Sequence, residues 1–196
     1  MKAAVFFATR EGQTCRIAER IAEDLRHRGV DVDLEDIREP RASIPWDAYG
    51  AVCVAASVHG GRHEREAIAF VRAHREELVR ASAAFVSVTL SQAGAQDAHA
   101  DPNRQREATR DVQQMIDTFV DETGWHPSHV LPVAGALMYR RYNFLIRFVM
   151  KRIARKAGAP TDTSRNYEFT DWPAVDRFVD QVLLPAEALG ERPRIT

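Results

Sequence analysis

Six residues, Thr9-Arg10-Glu11-Gly12-Gln13-Thr14, separate the apolar run Ala3 to Ala8 from a segment of helical period. A hydroxyl at each end and a glycine inside let such a turn fold around a phosphate, with backbone N–H groups and the helix N-terminus supplying the positive pole. The spacing is not that of a Walker loop, which ends in Gly-Lys-Ser/Thr, and the chain contains no GxGxxG. An ordinary helix cap uses the same residue types. The position of the turn, directly after a first strand, favours the phosphate.

Two more apolar runs end in polar residues. The first closes in Ser57-Val58-His59-Gly60 and continues through Gly61-Arg62-His63-Glu64. Paired glycines permit close backbone approach to a flat ligand. The second closes in Thr89-Leu90-Ser91, which would face that ligand from the other side. His59 and His63 invite a catalytic or metal reading. No Cys, Asp and His cluster with ligand spacing surrounds them, so contact with a bound ligand or substrate is preferred and no metal is expected. Neither a nucleophile elbow nor a Cys/His pair supports covalent hydrolysis.

These turns need a frame. Short Val- and Ala-rich runs, Ala3–Ala8, Val30–Leu34, Ala51–Ala56, Ala83–Thr89 and Val130–Ala134, alternate with helical segments, the pattern of a parallel sheet covered on both faces. Expected helices carry Ile17, Ala18, Ile21, Ala22 and Leu25; Ala67, Phe70, Val71, His74 and Leu78; Val112, Met115, Ile116, Phe119 and Val120; and, after a cap at Thr170 or Asp171, Val175, Phe178, Val179 and Val182. His74 reads as a boundary residue, and Leu90 to Asn103 as a polar loop. The expectation is an α/β, doubly wound, five-stranded parallel sheet of order 2-1-3-4-5 forming one domain over residues 1–185, with a tail at 186–196. Such a sheet binds its ligand at the carboxyl ends of its strands, where strand order reverses.

Residues 135–158 are surplus to that scheme. From Trp125 to Pro160 there is no acid, yet Arg140, Arg141, Arg147, Lys151, Arg152, Arg155 and Lys156 are basic. Leu145, Ile146, Val149, Met150 and Ile153 recur at helical spacing, and Tyr139, Tyr142, Phe144 and Phe148 add aromatics. A basic amphipathic helix of this kind, over about residues 140–156, suits an anionic membrane surface or an acidic apolar molecule. A core helix with a solvated basic face and a homo-oligomer interface are the other readings.

The whole chain has 27 basic and 28 acidic residues, a net charge of -1, so it has no general attraction for nucleic acid. No run approaches the roughly 20 apolar residues of a membrane span, and Ala3 to Ala8 is too short for a signal core. Two cysteines fit a reducing cytoplasm: Cys53 as a core residue, and Cys15 as a packed residue or a reactive thiol.

Together these pieces resemble the flavodoxin-like protoporphyrinogen oxidases of bacteria, which use a membrane quinone. The resemblance rests on Thr9 to Thr14, on Ala56-Ser57 with the following glycine and histidine, on Ala134-Gly135-Ala136-Leu137 with Tyr139 and Arg141-Tyr142, and on Thr161-Asp162-Thr163 with Thr170-Asp171-Trp172. It implies a flavodoxin-like fold, FMN as cofactor, a porphyrinogen and a quinone as partners, and a place on the inner face of the membrane. The flavin would take the hydride, Arg140, Arg141 and Tyr139 would meet the substrate, and His59 is the best candidate for moving a proton. A flavodoxin-like electron carrier and an NAD(P)H-dependent quinone reductase are the alternatives; carriers are usually strongly acidic, unlike this chain.

Overall fold

The computed structural model describes residues 1–39, 43–141, 143, 144, 147, 148, 151, 152, 154 and 161–184. Leu145, Ile146, Val149, Met150 and Ile153 of the expected apolar stripe, with Tyr142, Arg155, Lys156 and the 186–196 tail, lie outside the described residues, as does the side chain of Arg141.

Five parallel strands form the sheet: β1 (Lys2–Ala8), β2 (Asp31–Asp36), β3 (Tyr49–His59), β5 (Ala84–Thr89) and β6 (Val130–Ala134), in the order β2-β1-β3-β5-β6. This is the expected doubly wound arrangement. The sixth strand of that sheet, β4 (Arg62–His63), is a short antiparallel partner of β3, with Val58 opposite His63 and His59 opposite Arg62. Gly60 and Gly61 make the turn at φ 60° and 82°, backbone that only glycine adopts without strain. The paired glycines therefore serve a hairpin turn at the carboxyl end of β3.

Alternation along β1 divides the core. Ala3, Val5 and Phe7 face α1 (Gln13–His27) and the C-terminal helix Trp172–Phe178, meeting Ile17, Ile21, Leu25 and Phe178. Ala4, Phe6 and Ala8 face the opposite layer with Phe70, Val71, Leu78, Phe85, Phe119 and Trp125. Burial of both faces is why the strands read as continuous apolar runs. Phe85 and Phe119 stack with centroids 4.4 Å apart, and Trp125 meets both edge-on.

Three local expectations change. The helix over Ala67 to Leu78 is two, α2 (Arg65–Ala73) and α3 (Arg75–Arg80), broken at His74, whose ring packs 4.8 Å from Phe70 and 5.1 Å from Trp46. The polar stretch Leu90 to Asn103 contains α4 (Ser91–Gln96). Gly94 brings α4 so close to α5 (Pro102–Thr123) that a Cβ on it would stand 3.3 Å from Ala108; the glycine serves helix contact, not a turn. Finally, His63 is in the core rather than at a ligand: it is 4% exposed, its Nε2 lies 2.9 Å from Ser87 Oγ, and Phe85 and Phe119 flank it.

Burial pushes the His63 imidazole down to about 4, against an opposing pull from the Met115 backbone. A histidine that binds its proton more weakly folded than unfolded is stabilising above its unfolded value near 6.5, and that stability is lost as pH falls towards 4. We expect urea unfolding of wild-type protein to lose about 3 kcal/mol over that interval and His63→Leu to be flatter there by a similar amount; parallel curves for the two proteins would contradict the assignment. Phe119→Ala, which empties the centre of the aromatic layer, should cost about 3 to 5 kcal/mol at neutral pH in the same assay, and a loss below about 1 kcal/mol would mean that the layer repacks.

Candidate functional site

The carboxyl ends of β1, β3, β5 and β6 frame one groove, lined by Thr9, Glu11, Gln13, Thr14, Ser57, Val58, His59, Val88, Thr89, Leu90, Gly135 and Ala136. Its floor is the turn after β1. Gly12 caps α1 with φ 93°, and its N–H donates to Thr9 Oγ1 at 3.0 Å. That backbone geometry excludes a side chain at position 12 without strain. It leaves the first N–H groups of α1 facing the groove end of the helix, where an anion is favoured.

Thr14 supplies the sharpest local observation. Its side chain is 1% exposed and its Oγ1 has no hydrogen-bond partner. An unsatisfied buried hydroxyl costs about 1 to 3 kcal/mol, so a hydroxyl left in this state beside a helix N-terminus is matched to an acceptor from outside the chain. The donor set is hydroxyl and backbone N–H without lysine, which suits the phosphate of a mononucleotide and fits FMN.

Arg10 and Gln13 are turned to other tasks. Arg10 Nε donates to Glu64 Oε2 at 2.8 Å. Gln13 Nε2 donates to Thr170 Oγ1 at 2.8 Å and Glu168 Oε1 at 3.2 Å. Thr170 Oγ1 in turn donates to the Ala134 carbonyl at 2.8 Å. The start of α1 is thereby tied to the segment preceding the C-terminal helix, which Asp171 caps through Ala174 N–H at 3.0 Å. Of the two expected caps, Asp171 performs that role.

The β3 side of the groove is organised by Glu64, a carboxylate only 3% exposed. Ser57 Oγ donates to its Oε1 at 3.1 Å, and His59 Nε2 stands 3.3 Å from the same oxygen. His59 also lines a second, larger hollow of about 540 Å³ with Arg10, Arg62, His63, Glu64, Arg65, Glu66 and Ile68. A buried carboxylate requires such partners. Sequence reasoning passed over Glu64 because nothing local marks it; its partners lie 7 and 54 positions away.

On the far side, Thr89 Oγ1 accepts from Ser91 N–H at 3.3 Å, so Ser91 begins α4 and stands outside the groove lining. Gly60 lies on the hairpin, and Arg10 faces the larger hollow. The groove thus gathers Thr9, Glu11, Gln13, Thr14, Ser57, Val58, His59, Thr89 and Leu90 of the expected residues, and adds Val88, Gly135 and Ala136. Those last residues follow from strand order: β6 is adjacent to β5, so the turn after it must reach the same edge.

The surplus segment begins as β7 (Ala136–Leu137), which pairs antiparallel with β8 (Tyr167–Glu168). Tyr139 is fully buried in a small core with Leu137 and Ala154, its ring edge-on to Tyr167. Its side chain is therefore structural, a correction to its expected place against a substrate. Arg140 is exposed, its N–H donating to Asn166 Oδ1 at 3.0 Å. Phe144, Arg147, Phe148, Lys151, Arg152 and Ala154 are helical, with Phe144 and Phe148 exposed at 85% and 68%.

Burial and the neighbouring Glu19 carboxylate push the Cys15 thiol up to about 11, and burial pushes Cys53 up to about 12. Neither is a thiolate near neutral pH, so of the two readings of Cys15 the packed residue holds. Among the described residues no three His, Cys, Asp or Glu side chains are grouped to hold a metal, and no helix is long and apolar enough to cross a membrane.

Residues 4–164 match the flavodoxin domain family. The chain is 30% identical over 185 residues to the protoporphyrinogen IX dehydrogenase (quinone) of Escherichia coli K12, covering 93% of this chain and 94% of that protein. It is 31% identical over 194 residues to the Leishmania major protein of the same name, covering 98% and 79%. Among solved structures, a short-chain flavodoxin associated with a bacterial microcompartment aligns with 69% of this chain and 84% of its own at 14% identity and a TM-score of 0.46. The family match over residues 4–164, and the identity with the E. coli and L. major proteins over most of each chain, establish that the chain belongs to the flavodoxin domain family, together with the quinone-linked protoporphyrinogen IX dehydrogenases.

Proposed function

We propose that this protein binds FMN in the groove and oxidises protoporphyrinogen IX to protoporphyrin IX, delivering the electrons to a quinone. The observation that carries the cofactor is the unpartnered, buried Thr14 hydroxyl in a lysine-free phosphate turn; the substrate follows from the kinship with the dehydrogenases of E. coli and L. major. Thr9, Gly12 and Thr14 hold the phosphate, while Ser57, Val58, His59, Thr89 and Leu90 contact the rest of the cofactor. Bound FMN supplies the hydride acceptor, and the protein supplies position and electrostatics.

Arg140 and Arg141 meet the carboxylates of the substrate, a pairing suited to guanidinium forks. The exposed Phe144 and Phe148, with Arg147, Lys151 and Arg152 on the same helical stretch, rest on the anionic inner face of the membrane, where an apolar quinone resides. Aromatics exposed to this degree beside basic side chains suit a headgroup interface better than bulk water.

Protein reconstituted with FMN should convert anaerobic protoporphyrinogen to fluorescent porphyrin only when a menaquinone analogue is present. Flavin binding without porphyrin formation would instead favour the electron carrier, or the NAD(P)H-dependent reductase if NADPH reduces the flavin. Thr9→Ala/Thr14→Ala should weaken FMN binding by about 100-fold or more in a flavin fluorescence titration, from the loss of two hydroxyl contacts to a charged group; an affinity within threefold of wild type would place the phosphate elsewhere. Phe144→Ser/Phe148→Ser should lower partition onto anionic liposomes about tenfold or more, and unchanged partition would sink the membrane contact.

A further inference from the structure

Glu64 has no role in holding FMN, yet it is the most connected buried charge near the groove. It meets Arg10 from the turn after β1 and Ser57 and His59 from the end of β3. Its own N–H donates to the Ser57 carbonyl at 3.1 Å, which fixes its backbone to the same strand. His59, by contrast, is a third exposed at its side chain and borders both hollows: the groove, and the 540 Å³ cavity. A ligand in each would have this imidazole between them.

We propose that Glu64 is a positioning residue that orients His59, and that His59 accepts the proton released when the substrate is oxidised. The proposal rests on the functional reading above. A two-electron step breaks a C–H bond, whose electron pair leaves as hydride to the acceptor that FMN would supply, and an N–H bond, whose electron pair stays and becomes part of a new C=N bond. Three such steps remove three hydrides and three protons, and because the porphyrin has lost four C–H and two N–H hydrogens, one meso hydrogen moves from carbon to nitrogen by an imine–enamine shift. The N–H proton needs a base, and the quinone finally takes up the electrons.

The carboxylate decides which nitrogen of His59 can serve. With a carboxylate oxygen 3.3 Å from Nε2, the neutral ring is favoured with its hydrogen on that nitrogen, which leaves the Nδ1 lone pair as the acceptor. The other charged or titratable side chains around the cavity are Arg10, Arg62, His63, Arg65 and Glu66. Arg10 is engaged by Glu64, Arg62 by Glu122, and His63 is enclosed in the core. His59 is the imidazole that reaches both hollows.

Two measurements test the pair. In the FMN-free protein, 15N spectra should show the neutral His59 ring favouring the Nε2–H tautomer, and Glu64→Gln, whose amide can donate to the ring, should move the balance towards Nδ1–H; identical tautomer ratios would overturn the positioning role. In the reconstituted enzyme at saturating FMN, His59→Asn should lower kcat about 100-fold and Glu64→Gln about tenfold, with quinone KM within threefold of wild type. The double variant should be no slower than His59→Asn, because Glu64 acts through His59. A multiplicative loss, or a kcat for His59→Asn within threefold of wild type, would overturn the proton role. His59 is exposed enough to tolerate substitution, so that variant decides even where Glu64→Gln compromises folding. Wild-type protein that forms no porphyrin would overturn the functional reading and the proton role with it, while the 15N comparison still decides the pairing.

Discussion

A parallel sheet buried on both faces has nowhere to display polar chemistry except at its strand ends. In this chain Ala3, Val5 and Phe7 go to one apolar layer and Ala4, Phe6 and Ala8 to the other, so β1 first meets polar residues at Thr9. Ser57 and Thr89 stand likewise towards the carboxyl ends of β3 and β5. Because the strands are parallel, these ends share one edge, and because β1 and β3 are neighbours with chain direction diverging on either side, the helices leave a crevice between their first turns. The groove follows from burying the rest.

That constraint also explains how much was legible in the sequence. Strand positions and order follow from apolar runs and the alternation with helices, and the turn that floors the groove follows from residue types at a single strand end. Features set by one element pressing on another did not show. Gly94 looks like a loop residue until α5 stands against it, and the hairpin that Gly60-Gly61 turns is not visible until β4 folds back on β3. His63 and His59 are four positions apart with similar local sequence, but one points into the Phe85–Phe119 layer and the other to the rim, a distinction fixed by hairpin register. Tyr139 sits next to exposed Arg140 and is buried because β7 pairs with β8 across 30 residues of chain.

The surplus segment is attached to the groove by more than proximity. Gly135 N–H donates to the Thr89 carbonyl at 3.2 Å and its own carbonyl accepts from Phe169 N–H at 3.1 Å, so the turn after β6 is clamped between β5 and the strand that returns from the insert. Gln13, at the start of α1, reaches the same returning strand through Glu168 and Thr170. Arg16 adds an ion pair to Glu168 at 2.8 Å. Residues 168–170 are thereby bonded both to the turn after β6 and to the start of α1, each of which lines the groove.

The absence of lysine from the phosphate turn has a counterpart in how the nearby charges are used. Arg10 is the one basic residue in the turn, and it is spent on Glu64 rather than left for the phosphate. The donors left at the floor of the groove are neutral dipoles, backbone N–H groups and the Thr9 and Thr14 hydroxyls, which need no counterion. The guanidinium instead stabilises a buried carboxylate that a neutral surrounding would not tolerate, and that carboxylate stands 3.3 Å from the imidazole at the mouth of the groove. The one positive charge of the turn is thus committed to Glu64, and the floor of the groove is left with neutral donors.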